Sequence, residues 1–356
     1  MAKLFLHIGH NKTGSSFLQS AFSANLDVLK QNNIIYPIRP GLQETAAKGF
    51  VTMGNIKEFE AYVEGGKLDL NDSETLLFSS EMIYASFSKS DFQKDFRHFV
   101  AKHDFAEIEV LFFVRDPIDY AASNYQERVK GGGMTHSFEG FLSTWDVTST
   151  IKGTLDFFDS LPNTKVSIYN YSVDRKNILA ITEEWLGLQK GALVPPSVGT
   201  VNRSLTRSEL RLQLEINKRF GGKAGHLLSR PLCNKTPEIR GDNIRPTRAQ
   251  QEQLWDRLSD SLNDLNNRLP KHARYDRVRD ISDGPDADES SDANFSTAQL
   301  QVIAEIIADH AKEKERPALN LGTLKSKFRR LEEKSPNLRS GRVKITSFIR
   351  RRLLKN

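Results

Sequence analysis

Short, continuous apolar runs alternate along the chain with longer segments in which apolar residues recur at helical spacing. The runs predict β-strands, which we place at 3–8, 33–36, 75–80, 107–114 and 164–171. The longer segments predict α-helices, which we place at 17–29, 117–130, 177–188, 206–219, 247–269 and 296–307. This alternation is typical of an α/β fold with a central parallel sheet and helices on both faces, in three layers. The run at 107–114 is apolar on both faces, which predicts a central strand.

Residues 281–295 interrupt this pattern, because they are acidic, contain Gly, Pro and Ser, and show no periodicity. Such a composition is typical of a flexible linker. We therefore predict a compact domain over 1–280, a flexible acidic linker over 281–295, and a helical, basic C-terminal extension over 296–356.

The composition of the 356 residues, 38% hydrophobic and 27% charged, excludes a mainly disordered chain. No apolar run reaches the roughly 18–20 residues that a membrane span needs, and His7 interrupts the first run, so we expect no secretory signal. The single cysteine, Cys233, excludes an intrachain disulfide and suits a reducing compartment. The chain is therefore expected in the cytoplasm.

The formal net charge of +6 is distributed unevenly. Residues 312–356 contain fifteen Lys and Arg against four Glu, a net +11, which leaves −5 for residues 1–311. A basic tail on an acidic body indicates an appended electrostatic anchor and argues against a nucleic-acid-binding body. Apolar residues at helical spacing between 345 and 353 surround Arg350–Arg352, which predicts a short basic amphipathic helix. Such a helix could lie on an anionic membrane surface at the inner membrane face, or pack against a partner.

The segment Gly9–Ser16, with the sequence GHNKTGSS, connects the first predicted strand to the first predicted helix. Free backbone N–H groups and the positive end of a helix converge at such a turn, so it predicts an anion site, to which Lys12 adds a full charge. In the P-loop of NTPases the lysine follows the second glycine. Here Lys12 precedes Gly14, which counts against hydrolysis of ATP or GTP.

The order G-x-x-K-T-G-S-S after an N-terminal strand resembles the 5′-phosphosulfate loop of sulfotransferases that use 3′-phosphoadenosine 5′-phosphosulfate (PAPS). A second match is the pair Arg115 and Ser123, which resembles the arginine and serine with which that family binds the 3′-phosphate of the donor. A weaker third match is the segment Val201–Leu205, which resembles a late donor-binding loop of bacterial members. The resemblance covers roughly residues 1–220 and implies a P-loop-like fold and PAPS as co-substrate.

The resemblance also implies roles for individual residues. Lys12 would act on the transferring sulfonate, and no metal is required. The remaining donor-binding residues would be Thr13, Gly14, Ser15, Ser16, Arg115, Ser123, Asn202 and Arg203. The resemblance is closest to bacterial, carbohydrate-type members, so we expect the acceptor to be a hydroxyl of a carbohydrate, a glycolipid or another small molecule.

An alcohol acceptor must also lose a proton, which requires a general base. Glu81 is the first candidate, because it follows the strand at 75–80 and the carboxyl ends of parallel strands face the ligand crevice. Glu81 could instead cap the next helix. His10 is a second candidate base, although it could simply orient the loop backbone.

Two other classes of function stay open on the sequence alone. A P-loop kinase of a small metabolite would share the strand, loop and helix, but would bind nucleotide regardless of a 3′-phosphate and would need magnesium. A non-enzymatic protein could bind nucleic acid or a membrane through the basic tail, and its affinity would then depend steeply on salt.

Overall fold

The structure is a computed structural model that describes residues 1–39, 41, 54–66, 68, 70–196, 203–221, 225–282 and 293–315. The chain divides into two compact units, Met1–Leu300 and Gln301–Asn356. Most of the predicted linker, and the basic amphipathic segment at 345–353, lie outside the described residues. The predicted boundaries near residues 280 and 296 stay a prediction.

A sheet of parallel strands forms the centre of the first unit. Its strands are β1 (Lys3–Gly9), β2 (Ile34–Ile35), β3 (Thr75–Ser79), β4 (Glu107–Val114) and β5 (Thr164–Asn170). Their spatial order is β2-β3-β1-β4-β5, and every neighbouring pair is parallel. The predicted α/β fold with a central parallel sheet is therefore confirmed. The middle position belongs to β1, and β4 lies beside it with a neighbour on each side.

The α-helices of the described residues are, in chain order, α1 (Ser15–Ala24), α2 (Leu26–Gln31), α3 (Ile56–Val63), α4 (Glu81–Ser86), α5 (Ser90–His103), α6 (Pro117–Gly131), α7 (Phe138–Leu142), α8 (Thr148–Asp159), α9 (Tyr171–Asp174), α10 (Ile178–Trp185), α11 (Arg207–Phe220), α12 (Gly225–Lys235), α13 (Arg248–Asn266), α14 (Arg277–Asp280) and α15 (Thr297–Glu315). The helix predicted at 17–29 is two helices that meet at Asn25. The other predicted helices are present within a few residues of their expected ends, except that α15 continues to Glu315, beyond its expected end at residue 307.

Two hydrophobic cores cover the two faces of the sheet. Alternate residues of β1 enter different cores, because Leu4 and Leu6 pack with α3, α5, α6, α8 and α13, whereas Phe5 packs with α1, α2 and α10. This division follows from the period-2 alternation of side chains along a strand. The molecule thus has the expected three layers, with both faces of the sheet buried.

The turn between β4 and α6 forms as its sequence predicts. The side chain of Asp116 accepts a hydrogen bond of 2.8 Å from the backbone N–H of Asp119, and Pro117 occupies the first helical position. The helix ends at Gly132, which has a left-handed φ of 79°. These local signals fix Arg115 at the carboxyl end of β4, next to the loop that follows β1.

Candidate active site

The loop between β1 and α1 is a tight turn with two left-handed residues. Lys12 has a φ of 67° and Gly14 a φ of 82°. The hydroxyl of Thr13 closes the turn by donating a hydrogen bond of 2.6 Å to the backbone oxygen of His10. A Cβ at position 14 would lie 2.6 Å from Cδ1 of Ile178, so glycine is required there for space as well as for conformation.

The start of α1 has the features of an anion site. The first helical hydrogen bond runs from the N–H of Leu18 to the oxygen of Gly14, so the helix does not use the N–H groups of the turn before it. The Ser15 hydroxyl is buried, at 4% exposure of the residue, and has no hydrogen-bond partner among the described residues. Ser16 is half-buried beside it. A buried hydroxyl and unused N–H groups fit the oxygens of a phosphate or sulfonate group.

A cavity of about 280 Å³ brings three predicted donor-binding residues together. Its lining includes Lys12 from the loop, Arg115 from the end of β4, and Ser123 from α6. A guanidinium nitrogen of Arg115, Nη1, lies 3.4 Å from the backbone oxygen of Lys12, which links the two turns. The sequence places these residues more than 100 positions apart, and the parallel pairing of β1 with β4 makes them neighbours.

The cavity also contains acidic side chains that the sequence analysis did not single out. The Lys12 ammonium pairs with Oε2 of Glu127 at 2.8 Å, and Asp119 pairs with Arg245. A carboxylate oxygen of Asp242 accepts a hydrogen bond of 2.6 Å from the backbone N–H of Arg207. The one signal in the sequence was the spacing of Glu127 from Ser123, since residues four apart share a helix face.

Two groups in the cavity have shifted pKa values. Burial opposes ionisation of Glu127, but the attraction of Lys12 and Lys130 outweighs it and lowers the pKa of the carboxyl. Burial also lowers the pKa of Lys130, against the attraction of its acidic neighbours. Nζ of Lys130 donates a hydrogen bond of 2.9 Å to the backbone oxygen of Arg203.

His10 lies in the loop, as predicted, but it is completely buried. Its ring stacks on Tyr120 at 4.3 Å between centroids, and neither ring nitrogen has a hydrogen-bond partner among the described residues. Burial, with the positive charge of Arg115, lowers the pKa of His10 to about 3. A neutral, buried ring of this kind is better suited to orienting the loop than to accepting a proton, and the role of His10 as a base stays a prediction.

Glu81 lies on the other side of the loop from Arg115. It is the first residue of α4, directly after β3, and its Oε2 accepts a hydrogen bond of 3.0 Å from the amide of Gln19. Ser80 caps the helix, since its hydroxyl accepts a hydrogen bond from the N–H of Met82. Because β3 and β4 flank β1, the loop that carries Lys12 lies between Glu81 and Arg115 along the sheet edge. The catalytic role of Glu81 stays a prediction.

The late segment at Val201–Leu205 is only partly described, and Asn202 lies outside the described residues. The Arg203 guanidinium forms two hydrogen bonds of 2.7 Å with the Glu209 carboxylate and donates to the backbone oxygen of Thr236 at 2.8 Å. Its side chain is 7% exposed. The Arg203 side chain therefore bonds groups inside the protein, whereas the next residue, Ser204, lines the cavity. A direct donor contact by Arg203 stays a prediction.

Two kinds of feature are absent from the described part of the chain. No group of three His, Cys, Asp or Glu side chains there could hold a metal ion. No helix there is both long enough and apolar enough to cross a membrane.

Comparisons with known proteins show only remote structural similarity. No family model and no curated protein matches this chain. Among solved structures, retinol dehydratase in complex with retinol and PAP is 10% identical, with a TM-score of 0.31, over 74% of this chain and 81% of that one. Retinol dehydratase in complex with androsterone and the inactive cofactor PAP is also 10% identical, with a TM-score of 0.26, over 89% and 83% of the two chains. Similarity at this level assigns no activity to the present chain.

Proposed function

We propose that this protein is an enzyme that transfers a sulfonate group from PAPS to a hydroxyl acceptor. One observation carries the proposal. Lys12, Arg115 and Ser123, which match the donor-binding motifs of sulfotransferases, line one cavity, and Lys12 also belongs to the loop that leads into α1. The parallel pairing of β1 with β4 brings the two turns to one edge of the sheet, where a shared cavity suits a donor that carries both a 5′-phosphosulfate and a 3′-phosphate.

The residues around the cavity fit a donor with two charged groups. The N–H groups of Thr13–Ser16 and the buried Ser15 hydroxyl would bind the 5′-phosphate at the start of α1. Arg115 and Ser123 would bind the 3′-phosphate through charge-assisted hydrogen bonds. The 3′-phosphate is the group that distinguishes PAPS from the adenylates used by kinases, so Arg115 would determine donor specificity.

Lys12 would act on the reacting group, because its loop follows β1, which lies between the strands that lead to Arg115 and to Glu81. Sulfonate transfer moves dispersed negative charge between two oxygens, so catalysis consists mainly of positioning and of neutralising that charge. The Lys12 ammonium would stabilise the charge that develops on the leaving phosphate oxygen. Glu81 would accept the proton of the acceptor hydroxyl from the β3 side of the loop.

The acceptor is proposed to be a carbohydrate or a glycolipid. The proposal rests on the likeness of the GHNKTGSS loop to carbohydrate-type members. A glycolipid would also agree with a basic tail that binds the anionic inner face of a membrane. Transfer of radiolabelled sulfonate from PAPS to neutral oligosaccharides and glycolipids, but not to simple phenols, would support this acceptor class, and the reverse preference would contradict it.

Calorimetric titration with the product nucleotide 3′-phosphoadenosine 5′-phosphate (PAP) tests the proposed donor. We expect PAP to bind at least tenfold more tightly than AMP or ATP with magnesium. Arg115→Ala should remove the preference for PAP over AMP. Lys12→Ala should weaken the binding of both nucleotides. Lys218→Ala is the matched control, because Lys218 is exposed and forms an ion pair with Glu215 on α11.

The same titration decides between the sulfotransferase and its main rival. Binding of magnesium ATP with no preference for a 3′-phosphate would replace the proposal with a P-loop kinase. Absence of nucleotide binding would contradict both the sulfotransferase hypothesis and the kinase hypothesis.

A further inference from the structure

The ion pair between Lys12 and Glu127 places a carboxylate inside the cavity proposed for an anionic donor. Nζ of Lys12 lies 2.8 Å from Oε2 of Glu127, and both side chains are about two-fifths exposed, at 38% and 40%. A fixed negative charge at this place would repel a nucleotide that carries two phosphates. Glu127 therefore opposes donor binding unless its charge stays compensated.

Glu127 has a second cation within its electrostatic reach. Lys130 follows it by three residues on α6, which places the two on neighbouring positions of one helix face, and both line the cavity. The attraction between them is one of the influences on the pKa of each group. Glu127 thus pairs with Lys12 on the loop and is attracted to Lys130 on its own helix, whose Nζ also donates to the backbone oxygen of Arg203 at 2.9 Å.

Resting on the proposed function, we propose that Glu127 is a positioning residue that holds Lys12 in the donor-free protein and exchanges Lys12 for Lys130 when the donor binds. After the exchange, Lys130 compensates the charge of the Glu127 carboxylate, and the Lys12 ammonium moves onto the sulfonate. It also returns Lys12 to Glu127 after transfer, when PAP has no sulfonate to hold the lysine. Glu127 consequently competes with PAP for Lys12, and this competition promotes the release of PAP.

Removal of the competing carboxylate should tighten product binding. Glu127→Gln keeps the size of the side chain and removes its charge, so PAP should bind about two- to fivefold more tightly, the range expected for a partly exposed ion pair. Glu215→Gln is the matched control, because it removes the same charge from an exposed ion pair with Lys218 elsewhere. PAP affinity in this control should not change.

A double-mutant cycle separates competition for Lys12 from plain repulsion of the nucleotide. If Glu127 acts through Lys12, Glu127→Gln should leave PAP affinity unchanged in a Lys12→Ala background. If Glu127 merely repels the nucleotide, the same substitution would tighten binding in both backgrounds, and the proposal would be overturned. A cycle of this kind isolates the pairwise coupling of the two residues.

The ion pair itself is testable without nucleotide. Acetylation of Lys12 by an N-hydroxysuccinimide ester, followed by peptide mass spectrometry, should be faster in Glu127→Gln than in the wild type, with Lys218 as the internal reference. Equal rates would overturn the proposed pairing even if PAP binds. If the wild type and every variant fail to bind PAP, the proposed function is wrong and the exchange proposal falls with it.

Discussion

At the scale of single residues, the loop after β1 contains a position with no room for a larger side chain. Gly14 is the clearest case, since it combines a left-handed φ of 82° with a Cβ position only 2.6 Å from Ile178 and 3.0 Å from Tyr171. Thr13 constrains the loop in another way, because its hydroxyl closes the turn by donating to the backbone oxygen of His10. The loop is therefore shaped by contacts from α9 and α10 as well as by its own sequence.

Gly14→Ala should destabilise the protein and weaken PAP binding. We expect a loss of about 1–3 kcal/mol in the free energy of unfolding, from the left-handed conformation and from the clash with Ile178. Urea denaturation measures this loss. Gly153→Ala is the control, because a Cβ at that position of α8 meets nothing within 4 Å and should stabilise the helix by about 0.5–1 kcal/mol. Equal stability of the Gly14 variant and the wild type would refute the packing argument.

The buried His10 should make stability depend on pH. Its folded pKa of about 3 lies below the ordinary value of 6.5, so as the pH falls below 6.5 the unfolded chain takes up a proton that the folded ring does not. The folded state therefore loses about 2 kcal/mol from His10 by pH 5. The loss continues to grow down to about pH 3, and is absent above pH 7.

Urea denaturation at pH 7.5 and pH 5 isolates this contribution. His10→Phe keeps a ring against Tyr120 and should lose about 2 kcal/mol less than the wild type between the two pH values. His98→Gln changes an exposed histidine and should leave the pH dependence of the wild type intact. An unchanged pH dependence in His10→Phe would mean that the ring is protonated in the folded protein.

At the scale of secondary-structure elements, the segment that begins at Arg203 is attached to α11 and α12 by one buried ion pair. The Arg203 guanidinium bonds both oxygens of Glu209 on α11 and the backbone of α12 near Thr236, and the carboxylate also accepts from Gln299 at 2.8 Å. Glu209 is itself the capping-box residue at the start of α11. The same pair thus starts a helix and positions Ser204 in the cavity.

Arg203→Ala should lower the free energy of unfolding by about 3–5 kcal/mol, because it leaves the Glu209 carboxylate buried without its cation. Arg219→Ala removes an exposed arginine from α11, the helix that contains Glu209, and should change the free energy of unfolding by less than about 0.5 kcal/mol. Thermal or urea unfolding of the two variants compares them directly. A small effect at Arg203 would show that the pair is accessible to water.

The sequence could predict an element when the pattern that specifies it extends over only a few neighbouring residues. The strand at Glu107–Val114 and the start of α6 at Asp116 were predictable, because continuous apolarity and an Asp-Pro cap act over a few residues. The break between α1 and α2 was not, because the Asn25 side chain bonds Ala21 and the distant Val194. Helices α3 and α5 were not predicted, although each buries three apolar residues.

The candidate site follows the same division. Lys12, Arg115 and Ser123 belong to local motifs, and the pairing of β1 with β4 brings them to one cavity. The ion pair of Lys12 with Glu127 depends on how α6 lies against the loop, which no local pattern records. The burial of His10 by Tyr120 is likewise a tertiary contact, so the sequence left its role open.

At the scale of the whole molecule, charge is separated along the chain, with an acidic body over residues 1–311 and a basic tail over 312–356. The cavity belongs entirely to the compact unit Met1–Leu300. The two activities proposed for the chain, donor binding and attachment to an anionic surface, should therefore be separable.

Deletion of residues 337–356 should leave PAP affinity unchanged and strongly reduce binding to anionic phospholipid vesicles. Each basic residue near such a surface contributes about 1 kcal/mol, so loss of the Arg350–Arg352 cluster should have a large effect. Vesicle co-sedimentation at low and physiological salt measures the loss, with zwitterionic vesicles as the control. Full vesicle binding by the truncated protein would refute the membrane role of the tail.

The strand order has a consequence for how the proposed enzyme could diversify. Because β3 and β4 lie on opposite sides of β1, Glu81 stands on one flank of the Lys12 loop and the cavity with Arg115 on the other. Substitutions on the β3 flank could then recruit new acceptors while donor recognition stays intact. A library of variants randomised around α4 alone would therefore test new acceptors while PAPS stays the sulfonate donor.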